Sequence, residues 1–124
     1  MAKKNIHVAM GSLAYAIAMA DGSVQEQEKD TIKKLAQKEF ELSDEDNEWI
    51  TKVFNQLEEE KVSLDDAYNY AIDTLEANRF DYDFDEIMKK KCVNFMQKVA
   101  EAFDETSNDE RSVLTRFLVD IERF

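Results

Sequence analysis

The chain has 124 residues, of which 44 % are hydrophobic, and it carries 28 acidic and 16 basic side chains, for a formal net charge of −12. This length corresponds to one domain, residues 1–124, with enough apolar side chains for a real core. The charge disfavours direct binding to nucleic acids and anionic membrane surfaces, because both repel an acidic protein. Cations and basic protein surfaces are the expected partners.

Hydrophobic periodicity and capping residues predict six helices, which agrees with the absence of proline and the presence of only two glycines. In chain order they are a helix from about Lys4 to Ala20, helices after Ser23, Ser43 and Ser63, a helix from about Asp85 to Phe103, and a helix from about Asn108. Each predicted helix has an apolar stripe that must pack against other helices to be shielded from water. The sequence therefore predicts an all-α, single-domain helical bundle.

Four local interpretations accompany this layout. Cys92 lies in the apolar run 92–96, and we interpret it as a small core residue. Ile87 is expected on the apolar stripe of the same helix. His7 is interpreted as a surface or helix-flanking residue without a metal partner. The segment 79–86 alternates aromatic and acidic residues, and we expect an extended connector that points Phe80, Tyr82 and Phe84 to one side.

The acids of this connector match the first three ligand positions of an EF-hand loop, but the glycine and the closing glutamate of that loop are missing. We therefore interpret Asp83 or Asp85 as a cap at the start of the fifth helix, with a cation site as the alternative.

The most informative motif is the junction between the first two predicted helices. The first helix ends at Asp21, Gly22 can adopt the left-handed conformation of a sharp reversal, and Glu28 lies about one turn into the next helix. Asp21 and Glu28 could converge there, with Glu26 close by, and carboxylate oxygens suit Ca²⁺ or Mg²⁺. The alternative is a tight turn in which Ser23 caps the helix and Glu26 completes a capping box.

A weaker echo of this motif lies between the fifth and sixth predicted helices. Aligning Glu110 with Glu28 superposes the apolar positions that follow, but the turn glycine is missing. The acidic residues Asp104, Asp109 and Glu110 form a second, weaker candidate cation site.

The pattern Ala20-Asp21-Gly22-x-Val24-x-x-x-Glu28 resembles the TerB-like tellurite-resistance family, whose domain also occurs at the N-terminus of the DjlA membrane co-chaperone. The resemblance implies an all-helical bundle of two pseudo-symmetric halves, each carrying an acidic helix-turn-helix. It also implies a role in metal or tellurite stress and divalent cations at the acidic clusters. It supports Asp21 and Glu28 as ligands, and it supports Asp104 and Glu110 less.

We therefore expect a non-enzymatic, cation-responsive module. The sequence offers no nucleophile elbow, Cys-His pair, phosphate-binding loop or histidine cluster. The alternative is a constitutive protein-protein interaction domain that docks basic partners without a metal. The sequence predicts no membrane insertion and no secretion signal, and with its single cysteine it predicts a cytoplasmic location and protein partners.

Overall fold

The computed structural model describes the backbone of residues 2–20, 26–42, 44–102 and 108–124, and it describes the side chains of these residues except 2–3, 44–47 and 108–111. Within these ranges the chain forms six helices and no strand. They are α1 (Ala2–Met19), α2 (Glu26–Glu39), α3 (Asp44–Glu59), α4 (Leu64–Ala77), α5 (Glu86–Ala102) and α6 (Asn108–Glu122). The predicted all-α bundle is confirmed.

Helix α1 lies at the centre of the bundle. It packs most extensively against α4 and α3 and also contacts α5 and α6. Every residue from Ala9 to Ala18 is buried, as expected for a helix that is apolar on nearly all sides. Its two buried hydroxyls find backbone acceptors at and just before the start of α4. Ser12 Oγ donates to Ala67 O at 2.7 Å, and the Tyr15 hydroxyl donates to Val62 O at 2.7 Å.

Two predicted helix starts have the side-chain caps that the sequence indicated. The hydroxyl of Ser63 accepts a hydrogen bond from Asp66 N at 3.1 Å, at the start of α4. Asp85 Oδ1 accepts one from Met88 N at 2.8 Å, at the start of α5. Both satisfy backbone N–H groups that have no acceptor within the helix. The predicted caps Ser23 and Ser43 lie outside the described residues.

Two predicted placements are wrong. His7 is not a surface residue: it is 6 % exposed, and its ring lies 5.3 Å from that of Phe40. The reason is that helices cover α1 on almost every side. Ile87 does not face inward but is 66 % exposed, because the buried stripe of α5 runs through Met88 and Cys92 and leaves Ile87 beside it.

The prediction of an extended connector at residues 79–86 is also wrong. Residues 78–85 form consecutive turns, with Asp81 N bonded to Asn78 O at 3.0 Å and Phe84 N bonded to Asp81 O at 3.0 Å. Its aromatic rings therefore do not share a side: Phe84 is buried, whereas Phe80 and Tyr82 are exposed. Among the helices that the structure describes, none combines the length and the hydrophobicity that a membrane span requires.

Candidate functional site

Only part of the predicted acidic junction falls within the described residues. Glu26 and Glu28 lie in the first turn of α2, whereas Asp21 lies outside the described residues. At the weaker second site, Asp104 also lies outside them. Asp109 and Glu110 belong to the first turn of α6, and their side chains are outside the described part.

Glu26 belongs to a charged contact between α2 and α3. Its Oε1 lies 3.5 Å from Lys29 Nζ, and the same ammonium donates a hydrogen bond to Glu58 Oε1 at 2.5 Å. The hydrogen bond that Lys29 donates to Glu58 is the main cause that raises the pKa of Lys29. The Glu26 carboxylate is therefore already partly neutralised by a lysine, which weakens it as a cation ligand.

Glu28 lies on a different side of α2. Positions two residues apart are separated by roughly 200° around a helix, so Glu26 and Glu28 cannot face the same point from this turn. Glu28 is half-buried, and its Oε2 atom is shielded from solvent. Of the two described acids, Glu28 is thus the one held close to the body of the bundle, next to the junction that contains Asp21.

In the described part of the chain, no three histidine, cysteine, aspartate or glutamate side chains come together as a metal site. In the connector before α5, the carboxylates of Asp81 and Asp85 accept hydrogen bonds from backbone N–H groups. Asp81 Oδ1 accepts a hydrogen bond from Asp83 N at 2.9 Å, and Asp85 caps α5. The interpretation of Asp85 as a cap is confirmed.

Cys92 has no exposed surface, and burial raises the pKa of its thiol. Desolvation disfavours the thiolate, which is the nucleophilic form of cysteine. The interpretation of Cys92 as a core residue is therefore confirmed.

The sequence reasoning missed a polar cluster that joins α4 to α6. The Tyr68 hydroxyl donates to Asp120 Oδ2 at 2.5 Å, and Arg123 Nη2 donates to Asp120 Oδ1 at 2.5 Å. The guanidinium of Arg116 lies 3.9 Å from the centre of the Tyr68 ring. A tyrosine in an apolar stripe needs a hydrogen-bond partner when it is buried, and Tyr68 offered that signal in the sequence.

A surface groove of about 500 Å³ runs between α2 and α3. It is lined by charged and polar side chains: Glu26, Lys29, Asp30, Lys33, Thr51, Asn55, Glu58 and Glu59. The lining contains four carboxylates and two lysines, so the groove has a net negative charge that the lysines partly neutralise. Its lining has no aliphatic or aromatic side chain, and binding pockets for organic ligands are mostly apolar.

A family model described as Tellurite resistance protein TerB matches residues 7–121 of the 124-residue chain. The chain belongs to the TerB family. The match runs from α1 to α6 and includes both acidic junctions, so the resemblance first seen in one motif extends over the whole bundle. No curated protein and no solved structure matches the chain.

Proposed function

We propose that this TerB-family chain is a non-enzymatic, cation-responsive module of the metal and tellurite stress response, with its cation site at the junction of α1 and α2. The observation that carries the proposal is the position of Glu28. Its half-buried carboxylate stands in the first turn of α2, directly after the segment that contains Asp21. Asp21 and Glu28 are the proposed ligands, and the ion is a hard divalent cation such as Ca²⁺ or Mg²⁺.

The electrostatics of the junction set the expected affinity. The N-terminal end of α2 carries a partial positive charge, which favours carboxylates there and opposes a bound cation. Glu26 adds little, since Lys29 already lies 3.5 Å from it. Two carboxylates form a sparse ligand set, so we expect modest affinity, completed by backbone carbonyls or water. Binding would also relieve part of the self-repulsion of a chain with net charge −12.

Thermal unfolding with and without Ca²⁺, Mg²⁺, Mn²⁺ or Zn²⁺ tests this site. We expect an ion at one hundred times its Kd to stabilise the wild-type fold by about 2.7 kcal/mol. Combined Asp21→Asn and Glu28→Gln substitutions should abolish that gain. Glu26→Gln is the matched control, because it removes an acid from the same helical turn and should leave the gain unchanged.

Two results would contradict the proposal. If no ion raises the Tm of the wild-type protein, the module does not respond to these cations. If the gain survives in the Asp21→Asn and Glu28→Gln variant, the site lies elsewhere, and Asp104, Asp109 and Glu110 are the next candidates.

A second function is favoured by a different observation. The net charge of −12 and the exposed rings of Phe80 and Tyr82 suit a constitutive interaction domain that docks basic partners without a metal. The two functions differ in their response to chelation. Partner binding that is unchanged in EDTA supports the interaction domain, and binding that requires an added divalent cation supports the cation-responsive module.

A further inference from the structure

Two aromatic rings stand almost fully in solvent at the connection between α4 and α5. Phe80 is 88 % exposed and Tyr82 is 96 % exposed, and Ile87 follows them in the first turn of α5. Exposed apolar side chains that occur singly are ordinary, whereas a group of them on one short connection offers apolar area that another protein can cover. Aromatic residues are also enriched among the side chains that dominate binding energy.

The backbone holds these rings outward through an ordered turn. Besides the two backbone hydrogen bonds within residues 78–84, Asn78 Nδ2 donates to Thr74 O at 2.7 Å and ties the turn to the end of α4. Phe84 anchors the other end: it is buried, and its ring lies 6.3 Å from that of Phe124. Because the backbone of the turn is held by these contacts, binding there would cost little backbone conformational entropy.

The charge around the rings selects a partner. Between residues 76 and 87 the chain carries one arginine and five carboxylates, which belong to Glu76, Asp81, Asp83, Asp85 and Glu86. Lys89 follows and lies 3.5 Å from Glu86, so the carboxylates remain in excess around the rings. That arginine, Arg79, lies 3.6 Å from Glu76 and 4.7 Å from the centre of the Phe80 ring. Arg79 therefore shows that this segment can hold a cationic side chain between a carboxylate and an aromatic ring. Lysines or arginines of a partner could be held in the same way.

We propose that residues 78–87, termed here the aromatic-acidic turn, form a docking surface for a basic amphipathic segment of another protein. Phe80, Tyr82 and Ile87 take the apolar side chains of that segment, and the surrounding carboxylates take its lysines and arginines. An anionic membrane, a nucleic acid and a second copy of this acidic chain are all disfavoured by charge. The proposal does not depend on cation binding at the junction of α1 and α2.

The test uses the full chain in EDTA and a fluorescein-labelled helical peptide made of lysine, leucine and one tryptophan. Fluorescence anisotropy gives the Kd at physiological salt. We expect the double substitution Phe80→Ser and Tyr82→Ser to weaken binding about tenfold or more, because loss of central aromatic contacts typically costs over 1.4 kcal/mol. Tyr70→Ser is the matched control: Tyr70 is an exposed aromatic residue about two turns before the end of α4.

Both serine variants alter exposed side chains, so circular dichroism should show the wild-type helix content and confirm that any loss of binding is local. The proposal is overturned if the double variant binds as tightly as the wild type, or if Tyr70→Ser weakens binding equally, since the attraction would then be general to the acidic surface. It is also overturned if the same peptide with glutamate in place of lysine binds equally well. Self-association or binding to phosphatidylglycerol vesicles that the double substitution abolishes would assign the turn to a second copy or to a membrane instead.

Discussion

Gly11 lies where the backbone of α1 comes close to Ile50 of α3. A Cβ atom at this position would lie 3.2 Å from Ile50 O, 3.3 Å from Ile50 Cγ2 and 3.4 Å from Ile50 Cα. Two of these three neighbours are backbone atoms of a helix, which cannot move aside as the tip of a flexible side chain can. The two helices therefore depend on the absence of a side chain at Gly11, although glycine weakens helix α1 itself.

Gly11→Val should destabilise the fold by about 1–3 kcal/mol, because it forces extra volume into a filled contact. Gly11→Ala should cost less, since the better helix propensity of alanine, worth up to about 1 kcal/mol, offsets part of the crowding. Urea unfolding followed by circular dichroism measures both. Ser112→Val, at an exposed position of α6, should change stability by less than about 0.5 kcal/mol. Equal stability of Gly11→Val and the wild type would show that α1 and α3 are not tightly packed here.

The burial of a single residue can be predicted from the sequence when it depends on the apolar stripe of its own helix. It cannot be predicted when it depends on several other helices that pack around that residue. Cys92 lies in an apolar stripe, and its burial could be read from its own helix. His7 was misplaced because its burial comes from helices that approach α1 from several directions. At the candidate site, the contact of Lys29 with Glu58 could not be predicted either, since Glu58 lies 29 residues along the chain from Lys29.

The described helices begin and end close to where capping chemistry predicts. Ser63 and Asp85 were recognisable because a side-chain acceptor just before an apolar stripe is a local signal. The prediction for the connector between α4 and α5 was wrong because no local signal in the sequence marks its turns. Its alternating side chains suggest a strand, whereas its backbone is shaped by hydrogen bonds between Asn78, Asp81 and Phe84 that alternation does not reveal.

Ser63→Ala should lower the free energy of unfolding by about 1 kcal/mol, because Asp66 N then loses its acceptor at the start of α4. Ser63→Asp keeps an acceptor and also complements the positive end of the helix dipole, so it should retain the wild-type stability. Urea midpoints of the two variants make the comparison. Equal losses in both would mean that the hydroxyl of Ser63 contributes by packing and that its hydrogen bond is not what matters.

At the scale of the whole molecule, buried ionisable groups make the fold sensitive to alkali. Burial is the largest cause that raises the pKa of Tyr15, Tyr68 and Cys92 above their ordinary values of 10.0, 10.0 and 9.0. Above those values the unfolded chain releases protons that the folded chain retains, so the unfolded state gains stability as pH rises. At neutral pH these three groups are uncharged in both the folded and the unfolded chain, so their ionisation does not affect stability. In alkali they ionise more readily in the unfolded chain, and the folded state loses stability.

The free energy of unfolding should therefore be constant between about pH 7 and 8.5 and fall as pH rises above about 9, by up to 1.4 kcal/mol per pH unit for each such group. Urea unfolding at a series of pH values measures this slope. Tyr68→Phe should lower stability at neutral pH, because Asp120 loses a donor, and should make the alkaline slope shallower. Parallel curves for Tyr68→Phe and the wild type would show that Tyr68 does not contribute to the alkaline loss.

The central position of α1 has a consequence for how the bundle is made. Synthesis proceeds from α1 towards α6, yet the groups that satisfy and cover α1 come much later: Ser12 donates to a carbonyl 55 residues further along the chain, and Tyr15 to one 47 residues further. Until α3 and α4 have left the ribosome, α1 lacks the two helices against which it packs most extensively, although Phe40 can already reach the ring of His7. The nascent chain therefore exposes much of the apolar surface of α1 until some 55 further residues have been made, which is the stage at which aggregation or a chaperone competes with folding.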